Sequence, residues 1–273
     1  LQKLDVVFPV LHGPYGEDGS VQGLLKTAGI PFASPGVLAA AIGLDKDVMK
    51  RLFQQEGLPT APFIAYPWED WINRSQELKQ EVADKLGYPC FVKPANMGSS
   101  IGISKVEGVQ GLSEALALAS EFDEKVIVEK ALDTREIECS VLGNNNPQTS
   151  LPGEIIPRQG FYDYRAKYLG DSTELVVPAS LRQDQVEKIQ ELAVRSFRAL
   201  ECRGMARIDF FLERGTEDIY VNEINTIPGF TPISMYPKLW HASGLAYSDL
   251  IDRLIQLALE RHCQRQSKGK CNP

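Results

Sequence analysis

The alternation of apolar and polar positions is most regular over residues 204–229, where it predicts two short strands joined by a polar turn. Successive side chains of a strand point to opposite faces, so Arg207 shares a face with Asp209, and Glu223 shares a face with Asn225. If the strands pair as a hairpin, one surface carries two carboxylates, a carboxamide and a guanidinium. The alternative is a hairpin whose charged side chains form ordinary salt bridges.

The rest of the pattern predicts a mixture of helices and strands. Predicted helices cover about 20–28, 45–56, 75–86, 112–120, 183–200 and 247–261, and predicted strands cover 4–10, 30–32, 63–65, 90–94, 125–129, 136–142 and 154–157. Residues 33–44 are interpreted as a loop and residues 231–234 as a turn. The order of the elements favours an α+β protein whose units sandwich a ligand, rather than one doubly wound sheet.

Composition and charge exclude several classes of protein. The chain has 273 residues, enough for two or three compact units. Its 36 acidic residues outnumber its 29 basic residues, and a net charge of −7 argues against a nucleic-acid-binding surface. No apolar run is long enough to span a bilayer, and no signal-peptide pattern opens the chain. The five cysteines form no metal-type pair, which is typical of reduced thiols in a cytoplasmic protein.

Two lysines and a small-residue loop suggest phosphate binding. Lys46 lies in the first turn of a predicted helix that Asp45 caps. A positive charge there opposes the helix dipole, which hints at an anionic ligand, although a solvated surface lysine explains it equally well. Residues 95–103 are rich in Gly and Ser, whose amides can fold over phosphate oxygens, and Lys93 precedes them. The loop lacks the Gly-Lys-Ser/Thr of a Walker A motif.

Two further features suggest a metal site and a covering loop. The oxygen atoms of Asp209, Glu223 and Asn225 suit Mg²⁺, which takes one or two carboxylates and leaves its other positions to phosphates and water. Residues 161–168 combine aromatic and basic side chains without a clear period. Such a segment is typical of a surface loop, and functional loops of this kind often close over a site.

Two spaced motifs carry a resemblance to a known family. One is His-Gly-x-x-Gly-Glu-Asp-Gly at residues 12–19, and the other is Gly-x-x-Arg-Ile-Asp at 204–209 followed by Glu-Ile-Asn-Thr-x-Pro-Gly at 223–229. With the lysines and the loop of residues 161–168 between them, the chain resembles the D-alanine–D-alanine ligases of the ATP-grasp carboxylate–amine ligase superfamily. The match extends over about residues 5–260.

The resemblance implies a fold and a reaction. The fold is the ATP-grasp fold, with the remainder of an N-terminal α/β substrate domain over residues 1–40, a central domain over 41–129 and a C-terminal catalytic domain over 130–273. ATP, held between two sheet-containing domains, would phosphorylate one D-alanine carboxylate. The amine of a second D-alanine would displace phosphate, giving ADP and D-alanyl-D-alanine for peptidoglycan precursors. The family also implies a homodimer.

The resemblance also implies roles for individual residues. Two Mg²⁺ or Mn²⁺ ions would be held by Asp209, Glu223 and Asn225. The implied ATP contacts are Lys46, Lys93, Ser99, Ser100, Glu129, Lys130, Leu132, Glu136, Phe161, Lys167, Phe211 and Asn222. The implied catalytic residues are His12, Glu17, Ser99, Tyr168, Arg207 and Gly229, with Arg207 and the Gly229 amide at the oxyanion. The implied substrate contacts are Glu17, Lys167, Tyr168, Arg207 and Ser234.

Three alternatives remain open at the level of sequence. The resemblance implies that Tyr168 favours an amine as the second nucleophile, because relatives that make D-alanyl-D-lactate differ at this position. A ligase of the same fold for D-serine or D-lactate is the alternative. Members of the family carry a further N-terminal piece before the equivalent of Leu4, with an acidic residue for the ammonium group of the first D-alanine. We therefore expect the nucleotide and metal site to be intact and the first-substrate site to be incomplete. A nucleotide-binding fragment without full catalysis is the remaining alternative.

Overall fold

Helices and strands are interspersed along the computed structural model, which describes residues 4–157 and 173–269. In chain order the strands are β1 (Phe63–Pro67), β2 (Cys90–Pro94), β3 (Ser104–Val106), β4 (Lys125–Lys130), β5 (Thr134–Gly143), β6 (Gln148–Thr149), β7 (Gly153–Pro157), β8 (Thr173–Val176), β9 (Gly204–Glu213) and β10 (Ile219–Asn225). The helices are α1 (Ser20–Thr27), α2 (Val37–Leu44), α3 (Lys46–Gln55), α4 (Trp68–Asn73), α5 (Ser75–Lys85), α6 (Val109–Ser120), α7 (Gln183–Ala199), α8 (Met235–Ala242) and α9 (Tyr247–Gly269). Within the described ranges, no helix is both long and apolar enough to cross a membrane.

The strands form two sheets. The smaller sheet has four strands in the order β1-β4-β2-β3. The larger sheet has six strands, in the order β10-β9-β5-β7-β8 with β6 paired to β5. Neighbouring strands of both sheets run antiparallel. The predicted α+β class is confirmed, because a doubly wound fold would have a mainly parallel sheet.

The smaller sheet has its own apolar core. Helices α4, α5 and α6 cover it with Trp71, Leu78 and Leu112, which are buried against Val92 of β2 and Val126 of β4. Burial of these side chains holds the three helices on one face of the sheet. The other face is left for contacts with the rest of the molecule.

One face of the larger sheet is also apolar. Ile208 and Phe210 of β9 point into a core that they share with Phe197 of α7. Met49 and Phe53 of α3 belong to the same core. Helix α3 therefore packs on the larger sheet, although it precedes the smaller sheet in the sequence.

The opposite face of the larger sheet is divided between packing and polar chemistry. At one end Met205 of β9 and Leu142 of β5 pack against Tyr236 beneath α8 and α9. Two and four residues after Met205, Arg207 and Asp209 lie on the same face and are partly exposed. The strand β9 therefore carries its apolar side chains into two cores and its charged side chains to one exposed region.

The predicted strand over residues 4–10 is wrong. In this described segment only Val7 pairs, through a single parallel bridge to Phe32. Pro9 and Pro31 stand close to this bridge and have no N–H to donate, so the pairing does not extend into a ladder. The predicted strand over residues 30–32 is reduced to the same bridge.

One stretch that the sequence predicted as irregular contains a helix, and a second helix lies where no element was predicted. Residues 37–44, within the predicted loop 33–44, form α2. This segment has no polar side chain, so its sequence shows no amphipathic period that would reveal a helix. Helix α8 directly follows the predicted turn 231–234, and it accommodates Pro237 in its first turn, where the backbone N–H has no partner within the helix.

Candidate active site

The hairpin of β9 and β10 brings the predicted metal ligands together. Glu223 lies directly opposite Asp209, and Asn225 lies opposite Arg207. A bulge between Val221 and Glu223 adds one residue to β10, so Val221 and Ile224 both point into the core although they are three positions apart. The hairpin predicted from the alternation is confirmed. The bulge was not predicted.

Arg207 is held by carboxylates from two strands. Its Nε and Nη2 atoms donate to the two oxygens of Asp209, both at 2.7 Å. Its Nε atom also lies 3.0 Å from Oε2 of Glu138, a buried residue on the neighbouring strand β5. Burial lowers the pKa of Arg207, but the charges of Asp209 and Glu138 outweigh this effect and raise it above its ordinary value. The guanidinium is therefore charged and fixed in orientation.

The loop of residues 12–19 brings a third carboxylate to the same region. Glu17 accepts a hydrogen bond of 2.6 Å from the amide of Gly13. Burial raises the pKa of Glu17, and the charge of Glu223 raises it further, whereas His12 and Arg207 act in the opposite direction. Because Glu223 and Arg207 belong to the β9–β10 hairpin, Glu17 lies close enough to feel the charges of the hairpin.

A cavity of about 510 Å³ lies between the hairpin, the loop of residues 12–19 and the small-residue loop. Its walls include most of the residues predicted from the motifs. These are His12, Glu17, Lys46, Ser99, Glu136, Arg207, Asp209, Phe211, Asn222, Glu223, Asn225, Gly229 and Ser234. Ser234 packs tightly on Gly229, because a Cβ added at Gly229 would lie 2.6 Å from the Ser234 Oγ.

Of the two predicted phosphate lysines, Lys46 lines this cavity and Lys93 lies outside its walls. Lys46 is buried, its ammonium group donates to the carbonyl oxygen of Met97, and its Nζ lies 3.9 Å from Glu223 Oε2. Burial lowers the pKa of Lys46, which the charge of Glu223 partly offsets. Lys93 is also buried, and its Nζ lies 2.7 Å from Oε2 of Glu129. The structure thus removes the alternative of a solvated surface lysine at Lys46.

The small-residue loop adopts an unusual backbone conformation. Ser99 and Ser100 have φ angles of 54° and 60°, in the left-handed region that disfavours side chains other than glycine and asparagine. Such strain persists only where the surroundings impose it, and it is common at ligand-binding segments. The carbonyl oxygen of Met97, in the same loop, accepts a hydrogen bond from the ammonium group of Lys46.

The remaining predicted residues divide into two groups. Five described residues lie outside the cavity walls, namely Lys93, Ser100, Glu129, Lys130 and Leu132. Lys130 is exposed at the end of β4, Leu132 is half-buried in the turn before β5, and Glu129 is buried. Three others, Phe161, Lys167 and Tyr168, lie outside the described residues.

The donor atoms of the hairpin fit a hard divalent cation. Asp209 and Glu223 face one another, and Asn225 donates to Asp209 Oδ2 at 2.9 Å, so two carboxylates and a carboxamide share one surface. Among the described residues, no group of three or more His, Cys, Asp or Glu side chains could hold a metal ion. The two carboxylates and the carboxamide of the hairpin suit Mg²⁺, which shares its coordination sphere between one or two carboxylates and the phosphates of a substrate.

Two residues at the site were not predicted. Glu138 follows the predicted Glu136 by two positions on β5, so the period of the strand already placed both on one face. Lys50 follows Lys46 by four positions on α3, so both lie on one side of the helix. In each case the spacing was a usable signal, but the partner came from a distant part of the chain.

Family models match most of the chain. The model described as D-ala D-ala ligase C-terminus matches residues 52–256, and the model described as D-ala D-ala ligase N-terminus matches residues 1–35. These ranges include the β9–β10 hairpin in the first case and the loop of residues 12–19 in the second.

Individual relatives agree with these family models. The chain is 51% identical to the D-alanine–D-alanine ligase of Ruminiclostridium cellulolyticum over 95% of its own length and 69% of that protein. It is also 51% identical to the D-alanine–D-alanine ligase of Solibacter usitatus, over 97% of its own length and 79% of that protein.

Two solved structures resemble the fold closely. The D-alanine–D-alanine ligase from Coxiella burnetii superposes with a TM-score of 0.85 at 36% identity, covering 99% of this chain and 72% of that one. The VanG D-Ala:D-Ser ligase from Enterococcus faecalis also gives a TM-score of 0.85, at 39% identity, covering 94% of this chain and 74% of that one.

Proposed function

The chain belongs to the D-alanine–D-alanine ligase family and has its ATP-grasp fold, and we propose that it joins two D-alanine molecules while it converts ATP to ADP and phosphate. The observation that carries the proposal is the hairpin, where Asp209 faces Glu223 and Asn225 faces Arg207. This surface combines oxygen ligands suited to a metal ion with the guanidinium of Arg207, which is fixed beside them.

The first step is the transfer of a phosphoryl group. A carboxylate oxygen of the first D-alanine attacks the γ-phosphorus of ATP, the bond to the β-phosphate oxygen breaks, and ADP leaves with that oxygen. Such a transfer depends on alignment and charge neutralisation more than on covalent catalysis. Lys46 and Lys93 supply positive charge for the phosphates. Two Mg²⁺ or Mn²⁺ ions, held by Asp209, Glu223 and Asn225, would neutralise further negative charge when bound.

Nucleotide binding requires Lys46 to exchange its partner. In the structure its ammonium group is engaged by the Met97 carbonyl, whereas a phosphate oxygen is a stronger acceptor for a lysine. Movement of the loop that carries Met97 and Ser99 would release Lys46 and let the loop amides approach the phosphates. The left-handed φ angles of Ser99 and Ser100 support such a rearrangement.

The second step forms the peptide bond. The neutral amine of the second D-alanine attacks the carbonyl carbon of the acylphosphate, and a negatively charged oxygen develops there. The nitrogen then loses a proton to water, the bond to the phosphate oxygen breaks, and phosphate leaves with that oxygen. Arg207 and the amide of Gly229 lie on the cavity wall and are suited to stabilise the negatively charged oxygen. Ser234, which packs on Gly229, and Lys167 are proposed to bind the carboxylate of the second substrate.

Several finer assignments belong to the same proposal. Glu17 and His12 are assigned to the first-substrate side, with Tyr168 and Ser99 linking the covering loop to it. Glu136, Phe211 and Asn222 are assigned to the nucleoside, together with Glu129, Lys130, Leu132, Ser100 and Phe161. The boundaries 1–40, 41–129 and 130–273, the homodimer and the cytoplasmic location remain predictions. Requirement for ATP and Mg²⁺ favours the cytoplasm.

The second substrate is the main alternative within the family. One structural relative is a D-Ala:D-Ser ligase, so D-serine is a credible second nucleophile. Tyr168 favours an amine over the hydroxyl of D-lactate, because the family members that make D-alanyl-D-lactate differ at this position. D-Serine also has an amine, so only a direct comparison separates it from D-alanine.

The test is phosphate release from Mg-ATP with D-alanine, D-serine or D-lactate as added substrate. We expect release with D-alanine, little with D-lactate, and loss of at least 100-fold in kcat in Asn225→Ala. Asn146→Ala, on the exposed turn before β6, is the matched control and should retain full activity. Binding of ATP without any D-alanine-dependent release would contradict the proposal and leave a nucleotide-binding fragment.

A further inference from the structure

A group of buried charges lies near Lys46 but outside the walls of the cavity. The carboxylate of Glu129 on β4 lies between two lysines: Lys50 Nζ is 2.9 Å from its Oε1, and Lys93 Nζ is 2.7 Å from its Oε2. Lys50 and Glu129 are each only 1% exposed, and Lys93 is 9% exposed. Lys50 is the member to which neither the motifs nor the proposed reaction gives a role.

The three charges of this group do not cancel. Two lysines and one glutamate sum to a net charge of +1. Lys46, four residues before Lys50 on the same side of α3, adds no further excess, because Glu223 lies 3.9 Å from its Nζ. Burial by itself raises the pKa of Glu129, but the charges of Lys50 and then Lys93 outweigh it and lower the pKa to about 2. Since buried charges are normally paired, an excess of buried positive charge indicates an anionic ligand nearby.

Lys93 and Lys50 differ in their position relative to the small-residue loop. Lys93 stands just before the small-residue loop, in the sequence Lys93-Pro94-Ala95 that leads to Met97 and Ser99. Lys50 lies on the helix α3, and its ammonium group is 6.0 Å from the centre of the Phe63 ring. Lys50 is buried outside the cavity walls, and its ion pair with Glu129 is the contact through which it can act on Lys93.

We propose that Lys50 is a positioning residue for the phosphates of the nucleotide. By holding one oxygen of Glu129, Lys50 leaves Lys93 bound to the other oxygen only and preserves the positive charge of Lys93 for the phosphates. Without Lys50, Glu129 and Lys93 form a closed ion pair with no net charge. The inference rests on the proposed function, since it assumes that the anion is a nucleotide phosphate.

The net charge of the group gives a graded set of variants. Lys50→Met reduces the charge of the group from +1 to 0, whereas Lys50→Arg keeps it at +1. The double variant Lys50→Met with Glu129→Gln returns the charge of the group to +1, because one positive and one negative charge are removed and Lys93 remains. Lys85→Met, at an exposed lysine of α5 paired with Glu81, is a control for the same substitution elsewhere.

The experiment measures dissociation constants for ADP and for adenosine by displacement of a fluorescent nucleotide, in the full chain. For Lys50→Met we expect about a tenfold weaker affinity for ADP, which corresponds to about 1.4 kcal/mol. The affinity for adenosine, which has no phosphate, should stay within about twofold. In steady-state assays KM for ATP should rise, while KM for D-alanine should stay unchanged.

The rescue separates positioning from a merely structural role. Because Glu129 is also assigned to the nucleoside, the variants are compared by the ratio of ADP affinity to adenosine affinity. The double variant should recover most of the lost ratio, and Lys50→Arg should lose little of it. If Lys50 served only to fill space, the ratio in the double variant would be no higher than in Lys50→Met, and the inference would be wrong. If Lys50→Met does not fold, the double variant alone carries the test, and a ratio tenfold below that of the unsubstituted chain overturns the inference.

The outcomes also distinguish this inference from the proposed function. If the unsubstituted chain binds neither ADP nor ATP, the proposed function fails. If it binds ADP and releases phosphate normally, but Lys50→Met binds ADP as tightly as Lys85→Met, only the positioning role of Lys50 fails.

Discussion

At the scale of single residues, the most constrained group of the site is the guanidinium of Arg207. Asp209 binds it through two parallel hydrogen bonds from the same strand, and Glu138 approaches Nε from the neighbouring strand. A planar guanidinium can meet both carboxylates at once, whereas an ammonium group presents a single point of charge. If Asp209 turns to a bound metal, Glu138 still pairs with Arg207.

We therefore predict that Arg207→Lys keeps the fold but loses most of the activity. The variant retains the positive charge between two carboxylates, but it loses the directional donors for the oxyanion, so kcat should fall about 100-fold. Phosphate-release kinetics and the far-UV circular dichroism spectrum measure the two properties. Arg198→Lys, at an exposed position of α7, should change neither. A kcat within about threefold of the original would mean that groups other than Arg207 stabilise the oxyanion.

A second prediction concerns Glu138 and the stability of the site. Glu138→Gln keeps the size of the side chain but removes its charge. Of the two ion pairs of Arg207 described above, only the pair with Asp209 then remains. Loss of the charge of this buried ion-pair partner leaves a buried guanidinium less well paired and should lower the free energy of unfolding by about 1–3 kcal/mol. Urea denaturation measures this change, with the exposed Glu114→Gln of α6 as the control. Equal stability of the two variants would show that Asp209 alone neutralises Arg207.

The sequence predicted individual residues well where they share a strand, and poorly where partners come from different strands. The period of β9 and β10 placed Arg207 with Asp209 and Glu223 with Asn225 without any knowledge of the fold. Glu138 meets Arg207 only because β5 pairs with β9, and these strands are about 70 residues apart. No local pattern encodes such a pairing.

At the scale of secondary-structure elements, α3 joins the two halves of the molecule. Its apolar residues Met49 and Phe53 are buried in the core of the larger sheet. Its first residue donates its backbone N–H to the carbonyl of Ala95 at 3.0 Å, and its cap Asp45 binds Lys125 Nζ of the smaller sheet at 2.7 Å. The start of α3 therefore determines where Lys46 stands relative to the loop after β2.

A third prediction follows from the double role of Asp45. Its Oδ1 accepts hydrogen bonds from the amides of Asp47 and Val48, as an N-cap does, and the same carboxylate pairs with Lys125. Asp45→Ala removes both contacts and should lower the free energy of unfolding by about 1–2 kcal/mol. Asp45→Asn keeps the cap and loses only the charge, so its effect should be smaller.

Urea denaturation followed by circular dichroism distinguishes the two variants. Asp84→Ala, on the exposed part of α5, serves as the control for removal of an aspartate. Equal losses in Asp45→Ala and Asp45→Asn would mean that the ion pair with Lys125, and not the cap, fixes the start of α3.

Elements with a clear period or a clear cap were predicted, and those without them were not. Helix α3 has both an amphipathic pattern and Asp45, and its predicted limits agree with the structure within one or two residues. Helix α2 has neither, because its eight residues are all apolar or glycine. The bulge in β10 was missed, although the apolar spacing of Val221 and Ile224 violates the period of a regular strand.

At the scale of the whole molecule, charged side chains connect α3, which packs on the larger sheet, with the smaller sheet. Lys46 and Lys50 of α3 reach Met97 and Glu129 on the side of the smaller sheet, and Lys125 of the smaller sheet reaches Asp45 at the start of α3. Local sequence patterns do not encode the order of the strands in either sheet. These contacts between distant segments could therefore not be predicted from the sequence. The two cores, by contrast, are apolar and separate.

This arrangement makes the stability of the fold sensitive to acid through Glu129. In the folded chain the pKa of Glu129 is about 2, below the ordinary value of 4.5. Between these values the unfolded chain binds more protons than the folded chain, so stability increases with pH. The contribution of the ion pairs is complete above the ordinary value and is lost as the pH falls to the folded value.

We predict that the ion pairs at Glu129 lose about 2 kcal/mol of stabilisation between about pH 6 and about pH 3. Urea denaturation at both pH values, followed by tryptophan fluorescence, measures the free energy of unfolding of the original chain and of Glu129→Gln. The difference between them should shrink by about this amount in acid, because glutamine has no proton to gain. Glu114→Gln should show no such convergence. A constant difference would mean that Glu129 is not an ionised partner of Lys50 and Lys93, and it would also remove the charge balance on which the role of Lys50 depends.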